Sequence, residues 1–169
     1  MKKVVIIAVL MTLFAMPNLQ AQSLDIRYLF IYNFTKHIKW QQLSDQEEFV
    51  IGIYNHPETL KFFQEKVSSG HRTVQGKRIK VIAVTNKNLA SQCNIVYAPS
   101  SNKQMVQSFV KQCQFPDTLL VTDDELVEFG AHISFVIEGN KMHYLIKRSS
   151  IEQLGMKVSS QLISLGTEV

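Results

Sequence analysis

Four short apolar runs, separated by segments of helical periodicity, constrain this chain more than any other feature. They are Phe49 to Tyr54, Arg78 to Val84, Cys93 to Ala98 and Thr118 to Val121. Runs of this length, rich in Val and Ile and bounded by Gly, Pro or polar clusters, read as strands. Between the first two lies Pro57 to about Val67, with Leu60, Phe63 and Val67 on one stripe. Between the last two, Ser101-Asn102 can cap a helix from Lys103 to Cys113 that carries Met105, Val106, Phe109 and Val110. Strand, helix, strand in repetition predicts a single α/β domain built on a mainly parallel sheet flanked by helices.

The pattern changes after a short helix expected near Asp124 to Phe129. Ile133 to Ile137 and Met142 to Ile146 flank Glu138-Gly139-Asn140-Lys141, where Gly-Asn suits a two-residue hairpin turn. That register predicts a C-terminal antiparallel hairpin, with Ile133, Phe135, Ile137, Met142, Tyr144 and Ile146 on its core face. Ser149 to Leu165 reads as two short helices separated near Gly155. Leu24 to Trp40 reads as one long helix. Its apolar arc of Leu24, Ile26, Phe30, Ile31, Phe34 and Ile38 is wider than the ~100° a surface helix buries. Such a helix is either covered on two sides or partly offered to a partner.

The N-terminus reads as an address. Met1-Lys2-Lys3 precedes an apolar run from Val4 to Met16, then Pro17 and a small residue at Ala21. As a helix that run spans only about 20 Å, short of the ~30 Å hydrocarbon core, so residues 1–21 are expected to be a secretory signal peptide cleaved after Ala21. Residues 22–169 then form the mature domain, with no integral membrane segment. Removing Lys2 and Lys3 from 18 basic residues leaves 16 against 14 acidic ones, which argues against a general nucleic-acid binder. The charge is nevertheless uneven: nine Lys/Arg stand against Glu65 alone between residues 61 and 111. A solvated face is the commoner meaning of such a stretch; an anionic membrane surface or acidic partner is the alternative.

Export makes Cys93 and Cys113 a disulfide candidate. A strand rising from Cys93 and a helix descending to Cys113 return both sulfurs to one end of the sheet. Closing a loop of about twenty residues would contribute about 3 kcal/mol in the chain-entropy view. The alternative is two separate buried thiols.

Catalytic signatures are absent from the sequence: it has no phosphate-binding glycine loop and no nucleophile elbow. His37, His56, His71, His132 and His143 show no metal-ligand spacing, and no cofactor is implied. The acidic run Asp123, Asp124, Glu125 with Glu128 follows Thr122, which is what a helix start wants electrostatically, so capping is preferred over acid–base catalysis. The remaining constellation is Asn33, His37 and Trp40, spaced to line one edge of the first helix beside Phe34. These four are the candidates for a partner anchor or a ligand rim. The plainer alternative has Trp40 closing the core and Asn33 bonding a loop.

Taken together, the segments resemble the YfiR family of exported regulators. The resemblance rests on Tyr32-Asn33-Phe34-Thr35-Lys36-His37-Ile38-Lys39-Trp40, Phe49-Val50-Ile51-Gly52-Ile53 and Cys93-Asn94-Ile95-Val96-Tyr97. It continues through Leu119 to Asp123, Phe129 to Phe135 and Leu154 to Leu162, in the family's order. Departures are Gln41 where a proline is common, Cys113 at a position with no counterpart, and Lys147-Arg148 at a strand end that is usually more neutral. The resemblance implies a compact, non-catalytic α/β domain in the periplasm. It would hold a membrane signalling protein, a diguanylate cyclase or a sensor kinase, inactive by binding its periplasmic portion, with redox state bearing on the control. A homodimer is a further expectation, and a periplasmic small-molecule binding module is the competing function.

Overall fold

The structure, a computed structural model, describes residues 19–112 and 117–169. The chain opens with helix α1, Leu19–His37, and a two-residue strand β1, Ile38–Lys39. Strand β2, Glu48–Tyr54, leads into helix α2, Pro57–Gly70. Pro57 at its first turn needs no backbone donor, and the His56 side chain caps it by accepting from the Thr59 N–H. Next come β3, Thr73–Val74, β4, Lys77–Val84, and a short helix α3, Lys87–Ala90. Strand β5, Ile95–Ala98, helix α4, Lys103–Gln112, and strand β6, Leu119–Asp123, form the predicted strand–helix–strand unit. Asn102 is its helix cap, its side-chain oxygen accepting from the Met105 N–H at 2.9 Å. Then follow β7, Ile133–Glu138, β8, Lys141–Ile146, α5, Arg148–Gln153, β9, Lys157–Val158, α6, Ser160–Leu165, and β10, Thr167–Glu168.

Eight strands make one sheet in the order β10-β8-β7-β6-β5-β2-β4-β3, and β1 pairs with β9 in a second, antiparallel one. The five strands from β4 to β7 run parallel, and β7–β8 is antiparallel. This is the expected mixed α/β domain, mostly parallel with antiparallel strands toward the C-terminus. Central strands β5 and β6 are buried on both faces, which explains why they read as unbroken apolar runs. On one face, α1, α2, α5 and α6 cover Ile51, Ile95, Tyr97, Val121 and Phe135. On the other, Ala90, Val106 and Leu126 cover Val84, Val96 and Leu120. Among the described residues no helix is long and apolar enough to cross a membrane.

Three local expectations change. The first helix stops at His37, not Trp40, because its last carbonyl is taken by the Ser159 N–H at 2.9 Å while Ile38 and Lys39 pair with Val158 and Lys157. The polar loop between Gly70 and Gly76 contains β3, which turns back onto β4 through Gln75 and Gly76, both at positive φ. The hairpin turn at Gly139-Asn140 forms as expected, with both residues at positive φ. Its core face, however, ends before the turn: Ile133, Phe135, Tyr144 and Ile146 are buried, but Ile137 is 67% exposed.

Candidate functional site

Among the described residues, helix α1 is covered on one side only. Tyr28, Ile31 and Phe34 sink into the sheet, where Phe34 stacks against Phe135 and meets Tyr144 edge-on. A quarter-turn away, Ile26 is 37% exposed and Leu29 52% exposed. These two, with Phe30, Tyr32, Asn33, Lys36 and Arg72, line an open groove of about 670 Å³. Its floor is rigid, because Phe30 is wedged among Phe34, Phe135 and Tyr144 with ring centroids 5.6–6.4 Å apart. The wide apolar arc thus resolves into one buried face and one offered to solvent.

The four candidate side chains do not share this groove. Asn33 lies in its wall. Phe34 is entirely buried beneath it. His37 is half-buried and faces the C-terminal segment, with Nδ1 3.2 Å from the Ser159 hydroxyl. Trp40 sits beyond the helix end, 4% exposed, with its ring edge-on to Phe49 and its indole N–H donated to the Asn94 carbonyl. The spacing of four and three residues supposed one continuous helix. With the helix ending at His37, Trp40 leaves that edge and closes the core.

Asn94 is the polar centre of this closure. Its side-chain oxygen accepts the Val50 N–H at 2.8 Å, its amide donates to Gln46, and its backbone N–H reaches the Val50 carbonyl at 2.9 Å. A buried amide satisfied this fully joins β2 to the start of β5 as firmly as another ladder bond would. Neighbouring Cys93 is a free, buried thiol 3.3 Å from the Leu89 carbonyl, and burial pushes its pKa up to about 12. A Cβ at Gly52 would come within 2.6 Å of its sulfur, so glycine is what lets the thiol pack there. Cys113, the other half of the expected bridge, lies outside the described residues, as do residues 1–18 of the expected leader.

The acidic run is not a helix cap. Strand β6 continues to Asp123, and the 3-10 turn that follows, Val127–Phe129, has no side-chain cap. Asp123 instead accepts from Arg27 Nε at 3.1 Å and from the Tyr97 hydroxyl at 2.8 Å. Arg27 also donates to the Ser23 carbonyl and hydroxyl. Burial pushes the Asp123 carboxyl above the usual carboxylate range, against the opposing pull of Arg27 and Tyr97. Burial and the adjacent carboxylate together push the Tyr97 phenol well up, so it stays protonated and donates. This cluster pins α1 to the carboxyl ends of β5 and β6. Sequence reading missed it because the partners stand 96 residues apart.

His132 also has a defined place. Its Nδ1 accepts the Leu120 N–H at 2.8 Å, and burial lowers its pKa to about 4, so the ring is neutral. His143 faces Glu138 at 3.5 Å across the hairpin. Among the described residues no three His, Cys, Asp or Glu side chains gather as metal ligands would.

The arrangement is an apolar groove with two cations, set on a helix that is anchored from behind. No curated protein matches the sequence. The chain does match a family model over residues 24–167, almost the whole of the described domain, and it belongs to the YfiR/HmsC-like family.

Proposed function

We propose that this chain is an exported, non-catalytic regulator that restrains an inner-membrane signalling protein by docking on its periplasmic portion. The family supports regulation of diguanylate cyclase signalling in the periplasm as the general setting. The leader at residues 1–21 would supply the export. The observation that carries the docking is the groove on α1, where Ile26 and Leu29 stay exposed on a helix whose other face is buried. Exposed apolar side chains held on a rigid floor are what a partner anchor needs, because little ordering remains to be done on binding. A diguanylate cyclase is the preferred partner and a sensor kinase the alternative. Homodimerisation and a Cys93–Cys113 bridge that adjusts binding belong to the same proposal.

The test is genetic and chemical. Deleting the protein should raise cellular cyclic-di-GMP, the wild type should restore it, and Leu29→Asp should fail to restore it while remaining folded and exported. Unchanged cyclic-di-GMP on deletion sinks the cyclase reading. Asn33 in the wall of a groove of this volume favours a second reading, a small-molecule binding module. Restoration by Leu29→Asp together with a metabolite-dependent response would move the choice there.

A further inference from the structure

Among the described residues the groove carries charge of one sign only. Lys36 Nζ lies 4.6 Å from the centre of the Tyr32 ring, and the Arg72 guanidinium lies 4.5 Å from the same ring and 5.5 Å from that of Tyr28. Neither cation is in an ion pair among the described residues, whereas nearby Lys66 is held by Asp25 and Lys80 by Glu48. Among the described residues no carboxylate lines the groove. Two cations sharing one aromatic ring are oriented without being neutralised. Arginine in that state offers its donor fork to an incoming carboxylate.

The positions of the charges set a pattern. Ile26, Leu29, Asn33 and Lys36 form one stripe along α1, and the rise from the first to the last is about 15 Å. The apolar pair stands at one end and Lys36 at the other, while Arg72 flanks the stripe beside Tyr28 and Tyr32. An open, elongated groove of this length suits nearly three turns of a second helix lying in it.

We infer that the groove selects an acidic amphipathic helix: a segment with apolar residues at i, i+3 and i+4 and carboxylates that flank this stripe and continue up to two turns beyond it. The inference rests on the docking proposed above and names the chemistry of the docked segment. The apolar end supplies contact area and the cations supply register and sign, so a basic helix with the same apolar stripe is rejected.

Two synthetic helical peptides test this, identical in their leucine stripe, one bearing Glu and the other Lys at the flanking positions. Calorimetric titration into the purified protein should show binding of the Glu peptide at least tenfold tighter than the Lys peptide. Lys36→Glu with Arg72→Glu should invert that preference, and Leu29→Asp should weaken both. Should the double reversal disturb folding, Lys36→Met with Arg72→Met keeps the ring contacts and should abolish the preference without inverting it. Equal binding of the two peptides overturns the inference. So does a fall in sedimentation coefficient on charge reversal, which would make a second copy of the chain the occupant. The titration uses no cell, so its outcome is independent of the cyclic-di-GMP measurement: either can fail alone.

Discussion

Phe34 and Leu29 sit less than two turns apart on α1, both large and apolar, yet one is fully buried and the other 52% exposed. The difference lies in what the sheet puts opposite them. Phe34 faces Phe135 and Tyr144 at ring separations of 5.9 and 5.0 Å, on the paired strands β7 and β8. Leu29 instead lines an open groove, whose lining includes Arg72 on the connection that leaves α2. Equal hydrophobicity therefore contributes to folding at one position and is left available for binding at the other. Helix α1 can carry an unpartnered apolar stripe because its opposite face, with the Arg27–Asp123–Tyr97 cluster, anchors it without help from that stripe.

This contrast can be broken most sharply at its buried side. Phe34→Ala removes a ring from a packed aromatic cluster and should cost about 3–5 kcal/mol in urea unfolding. A loss below about 1 kcal/mol would mean the two faces are not energetically distinct. Acid should come next in size. His132 has a folded pKa of about 4, below its ordinary value of 6.5. Its contribution is therefore complete above about pH 6.5 and is lost as pH falls toward 4, when protonation takes away the acceptor for the Leu120 N–H. The expected decrease is about 3 kcal/mol, read as a falling urea midpoint and flattened in His132→Asn, whose side-chain oxygen can replace Nδ1. The smallest effect belongs to the exposed side: Leu29→Ala should leave stability within about 0.5 kcal/mol of wild type. A larger loss would place Leu29 in the core's energetics after all.

Much of the fold was readable because its strands are either doubly buried or sharply punctuated. β5 and β6 announce themselves as unbroken apolar runs, and Gly139-Asn140 dictates a turn with positive φ at both residues. The site was readable only in outline. An apolar arc too wide for one burial face corresponds to the buried and the exposed sides of α1, but periodicity has no means of knowing where a helix is stopped by a distant segment. Ser159 and the β9 strand end α1 at His37, and neither is visible from residues 24 to 40. Asp123 was misread for a related reason. Local rules favour carboxylates at helix starts, and the stronger claim on this one comes from Arg27 across the fold. Lys36 and Arg72 could have been suspected from a lysine and a tyrosine at i and i−4, yet the arginine joins them only through the packing of α2 against α1.

Trp40 is the only tryptophan in the chain, and its indole is bonded to the carbonyl of the residue that follows Cys93. The molecule therefore contains its own optical probe of the cysteine. An oxidation of Cys93 that displaces the adjoining Asn94 carbonyl should shift the indole emission. Occupation of the groove, against which Trp40 contributes no wall, should leave that emission alone. Redox state and partner binding can thus be followed as separate signals in one unlabelled sample.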